Sequence, residues 1–421
     1  MNIVGMIVEY NPFHNGHLWH LSESRRLAEA DFAIALMSGH FVQRGEPALF
    51  DKWARAEAAV RGGVDLILEL PAVYAVRSAQ YFATAGVRLF QELGIVTHLG
   101  FGAEHPVLED LSHLAEAMED AATQQQLKLY LKSGLTYAAA LTRATVNHPE
   151  VSSRLGDAAI ILTQPNNILA IEYLRAIRRY APHLTPTLIS RRHSEHHDPE
   201  ITSPFASATA IRRAILNDHQ LSPQATAALP AATARLITSW LEQGIGPVTW
   251  SDFSPPLLHR LRTLSPEQLS QLPEVSEGLH HRLGRTALQA TDVMDLLFRL
   301  KSKRYVSTRL QRIFVHALLG SSRQDLSSFD FIAPPYARVL AFNKNGRRLL
   351  HRLRQESNIP IITKTAHYLK SSDRFLASAP AWQRMLSLDT LASDIYALGL
   401  PKPSQRSGGQ DFLRSPVYVE D

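Results

Sequence analysis

MNIVGMIVEYNPFHNGHLWH, residues 1–20, decides the fold. Six apolar positions, Ile3 to Val8, end in a turn carrying Asn11, Pro12 and Gly16, with His14, His17 and His20 close behind. A run that is apolar throughout reads as a strand buried on both faces, and GHLWHLSESRRLAEA (16–30) reads as the helix that leaves it. The same alternation continues outward. FAIALM (32–37), VDLILELP (64–71), VTHLGFG (96–102) and TPTLIS (185–190) are strand candidates. Between them, FDKWARAEAAVRG (50–62), RSAQYFATAGVRLFQEL (77–93) and NNILAIEYLRAIRRY (166–180) are helical. Buried strands separated by helices predict a parallel sheet covered on both faces, a doubly wound α/β domain.

The remainder divides by composition. Residues 105–160 read as a helical insertion, 191–208 as a polar loop, and LSPQATAALPAATA (221–234) as a connector. Beyond residue 250 the chain reads as helical, with IPIITK (359–364) a late strand candidate. The expected organisation is a domain over 1–220 and a mainly helical, basic domain over 221–421. The 421 residues contain no Cys, which excludes disulfides, thiolate metal sites and a cysteine nucleophile. No window approaches the roughly 18 apolar residues of a membrane span, and no basic-then-apolar leader opens the chain. The expectation is a cytoplasmic protein that meets no membrane.

Net charge is +5, but residues 301–350 hold ten Lys or Arg against two acids, an excess of eight. Such a concentration suits a polyanion. KSKRYVSTRLQRI (301–313) supplies Lys301, Lys303, Arg304, Arg309 and Arg312, interleaved with Tyr305, Leu310 and Ile313; NKNGRRLLHRLR (343–354) is expected to extend the patch.

The chemistry concentrates at the first strand-to-helix turn. Ligands of doubly wound sheets bind beyond the carboxyl ends of the strands, where a helix N-terminus offers N–H groups and partial positive charge to phosphate. Gly16 is expected to open the backbone to such a group. His14 and His17, three apart, share a helical face and suit negative charge developing on a transferring phosphoryl group. A zinc reading lacks a third ligand at suitable spacing, so no metal site is expected. Further on, Ser207, Thr209 and Arg212 in SATAIRRAI place a hydroxyl and a guanidinium at the opening of a helix, the pattern of a phosphate grip and equally of a capped helix with a surface cation. The polar loop MSGHFVQRGEPALFDKWAR (37–55) is a candidate ligand-binding loop; Lys52 and Arg55 on its helix could meet phosphate or a polyanion.

His14-Asn15-Gly16-His17 resembles the H-x-G-H signature of the nucleotidyltransferase superfamily, which binds ATP on a Rossmann-like sheet and transfers its adenylyl group. VEYNPFHNGH, MSGHFVQRGEPA, DKWAR, GVDLILELP, FGAE, QPNNILAIEY and KSKRYVSTRLQRI together resemble the tRNA(Met) cytidine acetate ligase family, collinearly from residue 1 to about 370. That resemblance implies an enzyme making acetyl-adenylate from ATP and acetate, then acetylating N4 of the wobble cytidine of elongator tRNA(Met). It implies an ATP site from Ile7, Val8, Glu9, Tyr10, Asn11, Pro12, Phe13, His14, Asn15, Gly16, His17, Leu18, Trp19 and His20. Gly102, one of Asn166 or Asn167, and one of Arg191 or Arg192 complete it. His14, His17, Thr209 and Arg212 are the expected catalytic groups, and the 301–312 cations the tRNA contacts. Mg²⁺ is expected with ATP, held largely by phosphates and water. Two other readings share these signatures: an adenylyltransferase acting on a phosphorylated metabolite, and a non-catalytic RNA-binding protein on the same fold.

Overall fold

The computed structural model describes residues 1–191, 201, 203–218, 220–376 and 379–420. One eight-stranded sheet organises them: β1 Ile3–Val8, β2 Phe32–Ser38, β3 Leu66–Leu70, β4 His98–Ala103, β5 Thr185–Ser190, β6 Ala337–Phe342, β7 Ile361–Ile362 and β8 Val417–Tyr418. The order is β5-β4-β1-β2-β3-β6-β7, with β8 also on β6. From β1 to β5 all pairings are parallel, as the apolar runs predict; β6 joins β3 antiparallel. The chain steps outward from β1 through β2 to β3, then returns to lay β4 on the other side of β1. That reversal opens a crevice at the carboxyl ends of β1 and β4.

Alternation along the strands feeds two cores. Ile3, Ile34, Leu36 and Leu66 face Leu89, Phe90 and Ile171, while Val4, Met6, Ala35 and Ile67 face Trp53, Val60, Ile211 and Trp240. The helices flanking the sheet include Asn15–Leu27, Lys52–Arg61, Ala79–Leu93 and Pro165–Tyr180. Residues 105–160 are helical, from Leu108–Glu119 to Ala158–Ile161. Residues 221–234 are more than a connector: helices Pro223–Ala227 and Ala231–Gln243 occupy much of that stretch, and the second packs beside helix Lys52–Arg61.

Strand β6 lay outside the sequence expectation. Its run ARVLAF is short and interrupted by Arg338, which locally reads as a surface cation. In the fold Arg338 is 3 % exposed. It pairs with Glu69 of β3 and, at 2.6 Å, with Asp411 near the C-terminus. Lys52 is also fully buried, 3.1 Å from Glu69 and 2.7 Å from Asp411. Two cations and two carboxylates thus close a charge cluster between β3, β6, the helix after β2 and the last residues. One sheet therefore takes strands from both sides of residue 221.

Lys52 and Arg55 do not reach a ligand surface. Arg55 is 1 % exposed. It donates to the carbonyls of Glu9, Ser38, Gly39 and Phe50. It fastens the exits of β1 and β2 together. That duty explains a buried cation whose charge is spread over four carbonyl dipoles.

Candidate active site

The crevice at β1 and β4 holds the first signature. His14 is the N-cap of helix Asn15–Leu27. Its Nδ1 accepts from the Gly16 N–H at 3.0 Å, and His17 Nδ1 accepts from the His14 N–H at 3.3 Å. This is a capping box with imidazoles in the places usually taken by a hydroxyl and a carboxylate. The two rings lie 3.8 Å apart, centroid to centroid. Burial, then the charges of Arg191 and Arg212, pushes His14 down to about 3. Burial, then Arg191, pushes His20 down to about 4. Burial, then His14, His20 and Arg191, holds His17 well below the ordinary imidazole value. All three are neutral at pH 7. With Nδ1 accepting, His14 and His17 keep their protons on Nε2.

Gly16 has a further task that the sequence does not show. A Cβ there would stand 2.8 Å from the His14 ring, so glycine lets that ring fold back over the helix start. The Asn15 N–H donates to Ala228 O at 3.1 Å, and those of His17 and Leu18 to His14 O. The opening N–H groups of this helix therefore all have partners within the chain, and the capping histidine holds the one at Gly16.

The other residues of the stretch divide by burial. Tyr10 and Phe13 are 0 % exposed and pack edge-on at 4.9 Å beneath His17. With their side chains buried, these two positions can offer a ligand only their backbone. Asn15 donates to Pro204 O at 3.0 Å and Ala227 O at 2.9 Å, tying the helix to the segment after β5. The Asn11 side chain accepts from Leu49 N–H at 2.8 Å, and the Asn11–Pro12 bond is cis. Ile7, Val8, Leu18, Trp19 and His20 are half-buried.

The second signature arrives at the same point. Arg212, on helix Ala208–Asp218, donates to Asn11 O at 3.0 Å and to Thr209 Oγ1 at 3.3 Å, with Glu46 at 3.8 Å. Ser207 accepts from Ala210 N–H at 3.1 Å, the capping role open to it from the start. Separated by some 200 positions, Arg212 and the histidine turn meet at the end of β1.

The β4 side supplies the rest. Gly102 lies within β4, where a Cβ would meet Arg191, Ile189 and His20. Arg191 leaves β5 and donates to Asn166 Oδ1 at 3.2 Å. Arg192 lies outside the described residues. The two asparagines now separate. Asn167 is fully buried, accepts from His105 N–H at 2.9 Å and donates to Ile161 O and Gln164 Oε1. Asn166 stands at the rim with Arg191.

Two carboxylates make contacts here that the sequence does not announce. Glu104 accepts from the backbone N–H groups of both Asn166 and Asn167, setting a negative charge at the start of helix Pro165–Tyr180. Glu9 accepts from Gln43 N–H at 2.8 Å, joining the 37–55 loop to β1. Burial raises the Glu9 carboxyl, against the pull of the Gln43 N–H, Arg44 and Arg212. Both partnerships are long-range, and no local pattern announces them.

The basic stretch is partly matched by acids. Arg312 forms a two-pronged pair with Glu274 at 2.7 Å, Arg309 donates to Glu274 O and Ser276, and Arg304 pairs with Glu277 at 2.7 Å. Lys301 and Lys303 are exposed and make no ion pair among the described residues. Helix Ser307–Leu319 presses the Arg312 backbone against Gly45, whose φ of +80° turns the loop after β2. This segment is on the site's side of the sheet. The 343–354 stretch is not. In helix Lys344–Glu356, Asn345 reaches Asp65 at 3.3 Å, Arg348 overlies Phe32, and Arg352 meets Met1. These are the entries of β3, β2 and β1, so this helix crosses the opposite edge and does not extend the patch.

Among the described residues no helix is long and apolar enough to cross a membrane. The pattern of the HIGH Nucleotidyl Transferase family matches residues 1–411. The tRNA(Met) cytidine acetate ligase of Acetivibrio thermocellus is 37% identical over 424 residues, covering 100% of both chains. That of Halothermothrix orenii is 38% identical over 419 residues, covering 98% of each. The crystal structure of Thermotoga maritima TmcAL bound with alpha-thio ATP superposes with a TM-score of 0.92 at 30% identity, covering 100% of both chains. Sequence, sheet topology and the H-x-G-H turn thus agree, and the chain belongs to the tRNA(Met) cytidine acetate ligase family of HIGH nucleotidyl transferases.

Proposed function

We propose that this protein activates acetate with ATP and acetylates N4 of the wobble cytidine of elongator tRNA(Met), acting in the cytoplasm. The observation that carries the reading is the convergence of His14, His17 and Arg212 at the end of β1, where an ATP triphosphate would lie. An acetate oxygen attacks the α-phosphorus, the bond to the bridging oxygen breaks, and pyrophosphate leaves. The cytidine amine then attacks the acetyl carbon, AMP leaves, and N4 gives up a proton. The first step accumulates charge on phosphate oxygens, which Nε2–H donors of neutral histidines and the Arg212 guanidinium offset. Neutral donors suit a site already containing Arg191 and Arg212, because further cations would repel one another there. A phosphate at the helix start competes with the His14 ring for the Gly16 N–H. Glu9, Glu46 and Glu104 already have partners, so Mg²⁺ fits as an ion carried by the triphosphate rather than by a carboxylate cage.

Of the open pairs, Asn166 and Arg191 are assigned to ATP. Asn166→Ala is expected to raise the KM for ATP without lowering the unfolding midpoint. Asn167→Ala is expected to destabilise the fold by roughly 1–3 kcal/mol, since it removes a fully buried side chain to which the His105 N–H, Ile161 O and Gln164 Oε1 all bond. Melting curves and ATP kinetics of both variants check the split.

The deciding experiment is ATP–pyrophosphate exchange with and without acetate, followed by N4-acetylation of tRNA(Met). Acetate-dependent exchange and acetylation support the ligase. Exchange that needs no acetate but a phosphorylated metabolite indicates the adenylyltransferase. No exchange with intact tRNA binding indicates the non-catalytic protein.

A further inference from the structure

A strongly exposed aromatic just before KSKRYVSTRLQRI (301–313) is Phe298, on helix Val293–Leu300. This helix buries Val293, Leu296, Leu297 and Leu300 and turns its other face outward. On that face Met294 is 55% exposed and Phe298 82%. Positions 294, 298 and 301 follow the i, i+4, i+7 spacing, so Lys301 continues the same face past the helix end. Nearby charges sort cleanly. Asp295 pairs with Arg299 at 2.7 Å and Glu277 with Arg304 at 2.7 Å. The exposed Lys301 and Lys303 are left without an ion pair among the described residues. An aromatic face in solvent flanked by unpaired cations is the combination that binds single-stranded nucleic acid: a base stacks on the ring, and the cations meet the backbone. From here the chain runs into helix Ser307–Leu319, which abuts the loop after β2 at the site's end of the sheet.

We propose that Met294, Phe298, Lys301 and Lys303 form a stacking platform for an unpaired base of the RNA substrate, beside the nucleotide whose amine is acetylated. This rests on the ligase reading for the identity of the RNA. A folded stem offers no free base face, so the platform selects loop over duplex.

The test measures binding of a tRNA(Met) anticodon stem-loop and of a blunt RNA duplex to the full-length protein over a range of salt. Phe298→Ala is expected to weaken stem-loop binding roughly tenfold, with the salt slope and duplex binding unchanged. Phe298→Trp keeps affinity, whereas Phe298→Leu behaves like Ala, because stacking needs a π-face rather than apolar area. Lys301→Ala with Lys303→Ala lowers the salt slope by about 1.4, at about 0.7 for each phosphate that is no longer neutralised. Unchanged affinity in Phe298→Ala, or full affinity in Phe298→Leu, overturns the platform. So does a concentration-dependent dimer of the wild type that Phe298→Ala abolishes, since a second copy then covers the ring. Acetate-dependent pyrophosphate exchange, which needs no RNA, is measured on the wild type alongside. Its absence in the wild type overturns the ligase reading and leaves the RNA-binding result to judge the platform.

Discussion

His17→Ala is expected to lower acetate-dependent ATP–pyrophosphate exchange by about 10²–10³-fold, with tRNA affinity unchanged. The alanine variant alone is ambiguous, because His17 Nδ1 also accepts the His14 N–H and its ring sits on Tyr10 and Phe13. His17→Gln resolves this. Glutamine at the third helical position restores an acceptor for the N-cap N–H but lacks the imidazole donor. A variant that melts like wild type and still loses exchange assigns His17 to the transition state; recovered exchange reduces it to a helix cap. The pH dependence adds a second check. His14 and His20 are depressed to about 3 and about 4, from 6.5 when unfolded. The unfolded chain therefore binds more protons below pH 6.5. Stability is full above that value and declines as pH falls toward 4. Exchange per folded molecule stays flat between pH 6.5 and 8, since no site histidine titrates there. An activity step near pH 6.5 that moved with His17 would mean that the imidazolium acts instead.

The legible part of this protein is its period-governed part. Strands β1 and β2 announce themselves because burial leaves almost uninterrupted apolar runs, β3 to β5 follow from their place between helices, and the glycine- and histidine-rich turn follows β1 directly. The position of His14 and His17 at the carboxyl end of a strand follows from that order alone. What the sequence conceals is pairwise and distant. Arg338 looks like a surface cation until Glu69 and Asp411 stand beside it, and with it β6 goes unseen. The 343–354 cations look like a continuation of 301–313. They belong to the helix following an antiparallel strand, which delivers them to the opposite edge. Asn166 and Asn167 are equivalent on paper. Only the fold shows one consumed by His105, Ile161 and Gln164 and the other facing Arg191. Charge counted along the chain cannot say which cations are already matched.

Asp411→Ala is expected to cost about 3–5 kcal/mol of stability, a large share of the roughly 5–15 kcal/mol that holds a domain folded. One carboxylate oxygen of Asp411 accepts from Lys52 Nζ at 2.7 Å and Arg338 Nη1 at 2.6 Å. Burial works against every charge here. The two cations outweigh it for Asp411, keeping its carboxyl below the usual range, and the acids outweigh it for Arg338. Removing Asp411 leaves two buried cations with Glu69 as their one ion-pair partner among the described residues, Asp389 acting on Arg338 only through space. Adding Lys52→Met to Asp411→Ala restores one cation to one carboxylate and fills the space with an apolar chain. The double variant is therefore expected to regain most of the loss, a coupling that independent sites would not show. Urea unfolding of both variants measures it; a single variant as stable as wild type would mean the cluster is not holding the last residues onto the sheet. The consequence reaches the chemistry through one helix. Lys52 begins the helix whose Arg55 binds the carbonyls of Glu9, Ser38 and Gly39. A helix loosened at Lys52 slackens the exits of β1 and β2 and the turn that aims His14 and His17. The single variant should lose exchange activity at temperatures below its melting midpoint, and the double variant should recover it.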